Sequence, residues 1–66
     1  MSELSKSERR VMKLAAEGRG SQEIADILEI SKRTVDFHKA NAYQKLGATN
    51  VVDALLKGGF LISGAA

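Results

Sequence analysis

The chain has 66 residues and no cysteine, so it forms one small domain whose core has no support from disulfides or thiolate metal sites. Its formal net charge of +2 permits a nucleic-acid partner. Only 5% of the residues are aromatic, which is too few for a platform that stacks single-stranded bases and favours duplex instead. No apolar run approaches the ~20 residues that cross a bilayer, and the N-terminus lacks a signal peptide, so we expect a soluble, cytoplasmic protein.

The reactive side chains are few and badly spaced for catalysis. One histidine and no cysteine provide neither a metal-ligand set nor an acid–base pair. Ser21 and Ser31 stand at helix-capping positions with no base at a usable spacing. We therefore predict no enzymatic activity, no metal site and no cofactor.

Glycines at the ends of amphipathic segments divide the chain into four predicted helices. No segment alternates between apolar and polar residues over enough positions to indicate a strand. We predict a single all-α domain over residues 1–66, with helices at about 6–17, 22–28, 32–46 and 51–57. The predicted N-caps are Ser5, which forms a capping box with Glu8, then Ser21, Ser31, and either Thr49 or Asn50.

Helical spacing also predicts which side chains face inward. In the first two helices these are Val11, Met12, Leu14, Ala15, Ile24, Ala25, Ile27 and Leu28. In the third helix, at about 100° per residue, they are Val35, His38, Ala42 and Leu46. After the fourth helix we expect Phe60 or Leu61 to pack and the last residues to fray.

A short helix, a two-residue joint and a longer helix form the helix-turn-helix pattern, in which the second helix enters the major groove. The outward face of that helix mixes an arginine, an acid, a flat apolar ring and small residues, a set that suits base edges. We predict that bases are read by Arg33, Asp36, Phe37 and Ala40, with Asn41 and Gln44 further along. An alternative for Phe37 is packing against the fourth helix as core.

The same helix concentrates positive charge, because four basic residues are matched by one acid. Phosphates are the natural counterpart of such a surface. We predict that DNA is also contacted by Ser21, Lys32, Thr34, Lys39 and Lys45.

Residues 4–50 resemble the C-terminal helix-turn-helix domain of LuxR-type regulators, also called the GerE-like domain. Within the family, the run TVDFHKANAYQKLGATN is most similar to the quorum-sensing members. The resemblance rests on Leu4, Ser5, Glu8, Val11, Gly18, the segment 23–25, Ile30, Ser31, Thr34, Val35, His38, Lys45, Leu46 and Gly47.

The resemblance implies transcription control by a homodimer whose fourth helices pair and whose third helices enter successive major grooves, with RNA polymerase as a further partner. It assigns Thr34 to a phosphate and Asp36, Phe37 and Ala40 to bases. The fourth helix carries more apolar side chain than a small core can bury, so we predict a dimer interface at Val52 and Leu56. Since 66 residues cannot also hold the usual N-terminal sensing domain, we expect an excised output domain rather than a stand-alone regulator.

The sequence leaves two alternatives open. Within DNA binding, the runner-up is the output domain of a two-component response regulator. In a different class, the apolar cluster of the last helix and tail favours a helical protein-interaction module. That cluster comprises Val51, Val52, Leu55, Leu56, Phe60 and Leu61.

Overall fold

The computed structural model describes residues 4–60, and this part of the chain contains four helices and no strand. They are α1 (Lys6–Ala16), α2 (Ser21–Leu28), α3 (Lys32–Leu46) and α4 (Val51–Lys57). The predicted all-α class is confirmed, and each predicted helix lies within a residue of its observed bounds. No described helix is long and apolar enough to cross a membrane.

Side-chain caps begin three of the helices where the sequence predicts them. The capping box of α1 is complete: Ser5 Oγ accepts from the Glu8 amide at 3.1 Å, and the Ser5 amide donates to Glu8 Oε1 at 2.8 Å. Ser31 Oγ accepts from the Thr34 amide at 3.0 Å and begins α3. Asn50, rather than Thr49, caps α4.

The predicted cap Ser21 is wrong. Gly20 is the N-cap of α2, and it provides no side-chain hydrogen bond to the first turn. Ser21 is instead the first helical residue, and its hydroxyl points across to α3, where it donates to Asp36. The tertiary contact with α3 therefore takes the hydroxyl that a local capping rule assigns to the α2 backbone.

Helix α3 runs through the centre of the domain and contacts each of the other three helices. One buried cluster joins it to α1 and α2, and consists of Val11, Ile24, Ala25 and Val35. A second joins it to α1 and α4, and consists of Met12, Ala42, Ala54 and Leu55. Because both clusters use the same side of α3, neither buried cluster within residues 4–60 covers its opposite side.

Some inward assignments need correction. Ile27 is 46% exposed, because Ile24, Ala25 and Leu28 already define the inward arc of α2 and Ile27 lies about 60° outside it. His38 and Leu46 are half-buried at the edges of the α3 stripe. Phe60 packs on the second cluster, as predicted, whereas Leu61 lies outside the described residues.

The joint between α2 and α3 sets the angle of the helix-turn-helix. Glu29 adopts the left-handed conformation with φ 58°, an uncommon conformation for a residue with a side chain. The Ile30 amide donates to the Ala25 carbonyl at 3.0 Å, which satisfies the end of α2. Ile30 then packs on the first buried cluster and fixes the start of α3.

Candidate nucleic-acid interface

The exposed side of α3 is the surface that the core leaves available. Val35 and Ala42 are fully buried on the inner side of the helix. The outer side presents the predicted readers Arg33, Asp36, Phe37, Ala40 and Gln44, all of them exposed, while Asn41 at the border is half-buried. The sequence therefore predicted the orientation of the helix correctly.

Phe37 is the most unusual residue of this surface. Its side chain is 62% exposed, so the alternative in which it packs on α4 is wrong. Its ring centroid lies 5.9 Å from that of His38, with the two rings tilted by 59°. A phenyl ring that the core does not use gives α3 an apolar surface of the kind that contacts a thymine methyl group.

A polar network links the start of α2 to the first half of α3. Ser21 Oγ donates to Asp36 Oδ1 at 2.8 Å, and Lys39 Nζ donates to the same Ser21 oxygen at 2.7 Å. Lys32 Nζ, one helical turn before Asp36, lies 3.2 Å from Asp36 Oδ2. We call these four residues, Ser21, Lys32, Asp36 and Lys39, the α2–α3 corner.

The carboxylate of this corner is firmly ionised at neutral pH. The Ser21 hydroxyl, and after it the Lys32 ammonium, hold the pKa of Asp36 below its ordinary value of 3.8. Two ammonium groups and one carboxylate leave the corner with a positive excess. It lies beside the N-terminus of α2, whose first amides receive no side-chain cap.

The two remaining basic residues of α3 have different surroundings. Arg33 is exposed and forms no salt bridge with any acid of residues 4–60. Lys45 lies 2.8 Å from Glu8 Oε1, and only 6% of the Glu8 side chain is exposed. Lys45, and then the Ser5 amide, hold the pKa of Glu8 below its ordinary value of 4.5. The ammonium of Lys45 thus already has a structural partner.

Two site features escaped sequence reasoning. The Glu8–Lys45 pair joins residues 37 positions apart, and the sequence alone indicates only that Glu8 belongs to a capping box. The Ser21–Asp36 bond likewise spans 15 positions. The remaining predicted DNA contact, Thr34, is half-buried, with its hydroxyl 2.8 Å from the Ser31 hydroxyl.

A separate apolar surface lies on α4. Val52 is 56% exposed and Leu56 39%, whereas Leu55, the residue before Leu56, is buried in the core. A shallow groove on this side is lined by Thr49, Asn50, Val51, Val52, Asp53 and Leu56. The predicted interface residues are therefore on the surface, and the dimer contact itself stays a prediction.

Comparison with known proteins identifies the family. The model of bacterial regulatory proteins of the luxR family, named GerE, matches residues 2–57. The chain belongs to the luxR family. It is 52% identical over 50 residues to the transcriptional activator protein VanR of Vibrio anguillarum. This match covers 71% of the chain and 21% of VanR. It is 42% identical over 55 residues to the transcriptional activator protein LuxR of Aliivibrio fischeri, covering 83% of the chain and 22% of LuxR.

A repressor also occurs among the relatives. The transcriptional repressor ThaA of Burkholderia thailandensis is 44% identical over 50 residues, covering 76% of the chain and 21% of ThaA. The chain thus spans about a fifth of the length of these relatives. The predicted family and the helix-turn-helix fold are confirmed. The individual DNA contacts stay predictions.

Proposed function

We propose that this domain binds duplex DNA in a sequence-specific manner, with α3 in the major groove, and so regulates transcription. The observation that carries the proposal is the outer face of α3, where an exposed phenyl ring lies among Arg33, Ala40 and Gln44. The whole inner side of that helix is committed to the core, so this face is available for a partner. It offers donors, a small side chain and an apolar ring, a combination that base edges accommodate.

Phosphate contacts would hold the helix in place on either side of this face. The α2–α3 corner brings the Lys39 ammonium and the Ser21 hydroxyl together at the uncapped start of α2. A helix N-terminus flanked by ammonium groups suits an anionic phosphate. Lys32 and Thr34 at the start of α3 add a charge and a hydroxyl. Lys45 would have to contact a phosphate while it also holds Glu8.

We further propose that the regulator acts as a homodimer through Val52 and Leu56. Both side chains are exposed on one side of α4, and a pair of such apolar residues is suited to an isologous contact with a second copy. Two linked domains gain effective concentration on a site with two half-sites. The resemblance to quorum-sensing regulators extends the proposal to a signal-controlled protein that contacts RNA polymerase, with this chain as its output domain.

A binding titration tests the central part of this proposal. A duplex is first selected from a random pool with the wild-type domain, and a scrambled duplex of equal composition serves as reference. Fluorescence anisotropy then gives the affinity for both at several salt concentrations. We expect a steep fall of affinity with salt. We also expect Phe37→Ala to reduce the ratio of the two affinities by about fivefold or more, because a base contact contributes about 1–3 kcal/mol.

The matched control is Ile27→Ala, which removes another exposed apolar side chain, 46% accessible, from the neighbouring helix α2. It should leave the ratio of affinities unchanged. If Phe37→Ala also leaves that ratio unchanged while the circular-dichroism spectrum shows a folded domain, then α3 does not read sequence through this face.

A second candidate function is a helical protein-interaction module, which the exposed apolar residues Val51, Val52 and Leu56 favour. The salt titration separates the two functions. Retention on a duplex-DNA column that is insensitive to salt, or no retention at all, would favour the interaction module over the phosphate-binding domain.

A further inference from the structure

Asp36 is the only acidic residue of α3, and it lies on the face that we assign to DNA. Both of its oxygens are engaged: Oδ1 accepts from Ser21 at 2.8 Å and Oδ2 lies 3.2 Å from Lys32. Lys39 completes the corner through Ser21. Three groups suited to binding a phosphate thus surround the Asp36 carboxylate. The Ser21 hydroxyl and the Lys32 ammonium contact it directly, and the Lys39 ammonium reaches it through the Ser21 hydroxyl.

We propose that Asp36 determines specificity by acting as an internal substitute for a DNA phosphate. In the free domain its carboxylate occupies the α2–α3 corner, so a phosphate binds there only after it displaces the carboxylate. This inference rests on the proposed function and deepens it, because it adds to any base contact of Asp36 a competition with phosphate for the α2–α3 corner.

The competition follows from the hydrogen-bonding capacity of Ser21. A serine hydroxyl has one hydrogen to donate, and Ser21 already donates it to Asp36. A phosphate that takes this hydrogen therefore breaks the bond to Asp36. The Lys32 side chain is 57% exposed, and its ammonium is partly neutralised by the Asp36 carboxylate one turn away, so it attracts a phosphate less strongly while that pair is intact.

The consequence is a penalty on every duplex, whatever its sequence. A displaced carboxylate lies close to the DNA backbone, where like charges repel. A site that offers a donor to Asp36, such as the amino group of cytosine, compensates for the displacement, and other sites do not. Asp36 therefore discriminates mainly by weakening the binding of wrong sequences.

Asp36→Asn tests this, because asparagine has the same shape but no charge. The affinity of the 66-residue domain for the scrambled duplex is measured by anisotropy over a range of salt concentrations. We expect that affinity to rise by about tenfold, and the slope of its logarithm against the logarithm of salt to steepen by about one unit, because one more ammonium group becomes available to phosphate. Asp36→Ser is a second variant that removes the same charge, and circular dichroism verifies folding.

The matched control is Asp26→Asn, which removes one charge from an exposed carboxylate on α2. Within residues 4–60, Asp26 accepts a hydrogen bond from Gln22 and pairs with no lysine. It should change the affinity for the scrambled duplex far less. Equal effects of the two substitutions, or no effect of Asp36→Asn, would overturn the inference. A loss of affinity for the selected duplex alone would also overturn it, in favour of direct base reading.

The two proposals fail in distinguishable ways. If the wild-type domain binds duplex with steep salt dependence but Asp36→Asn behaves like wild type, the internal-substitute role is wrong and the proposed function survives. If the wild-type domain binds no duplex at all, both are wrong.

Discussion

The Glu8–Lys45 pair fastens α1 to the C-terminal half of α3, and its removal should weaken the whole domain. In Lys45→Met, the Glu8 carboxylate stays in a site where only 6% of its side chain is exposed, without the ammonium at 2.8 Å. Loss of one partner of a fully buried pair costs about 3–5 kcal/mol. The Lys45 side chain is 35% exposed, and Glu8 keeps its bond to the Ser5 amide, so solvent and the cap reduce the loss. We expect a loss of about 2 kcal/mol in the free energy of unfolding.

In a domain of this size, that loss corresponds to a fall in Tm of about 8–16 °C. Thermal and urea unfolding followed by circular dichroism measure it, with Lys13→Met as control, because Lys13 is an exposed cation of α1 that forms no salt bridge within residues 4–60. A double-mutant cycle with Glu8→Gln isolates the pair itself. A coupling free energy below about 0.5 kcal/mol would refute the reasoning, because the pair would then behave like one in open solvent.

The remaining predictions concern pH and the α4 surface. Folding lowers the pKa of Glu8, so the unfolded chain takes up the proton first as pH falls. The stability that Glu8 contributes is therefore complete above its ordinary pKa of 4.5 and is lost as pH falls through the lowered pKa. Urea midpoints between pH 7 and pH 3 should therefore fall, and fall less in Glu8→Gln; equal falls would contradict the assignment. Leu56→Glu should abolish concentration-dependent dimerisation in analytical ultracentrifugation with the helical signal intact, whereas Leu55→Ala, at a buried position, should destabilise the domain. Unfolding of Leu56→Glu would place Leu56 in the core instead.

Helix positions could be predicted from the sequence because the signals are local. Ser5 with Glu8, Ser31, and glycines such as Gly47 with φ 65° mark helix ends within a few residues of the bonds they form. The buried and exposed sides of α3 were also predictable, since a 15-residue helix offers enough turns for an apolar stripe to be recognised.

Contacts between helices could not be predicted, because local sequence patterns carry no information about which helices pack together. Ser21 satisfies every local requirement of an N-cap, yet its hydroxyl bonds to Asp36 once α3 crosses beside it. Ile27 is apolar and close to the inward arc of an 8-residue helix, too short for the spacing to exclude it. Lys45 was assigned to phosphate by charge alone, whereas its buried partner becomes visible only when α1 and α3 are packed together.

The most direct test of the central claim is a map of the DNA contact on the folded domain. Nuclear magnetic resonance spectra of the isotopically labelled domain are recorded as the selected duplex, cut to one half-site, is added. We predict that the largest shifts occur at the Phe37 ring, the Ala40 methyl group and the amide of Ser21, while the methyl groups of Val52 and Leu56 stay unchanged. Shifts centred on α4, with the outer face of α3 unaffected, would contradict the account.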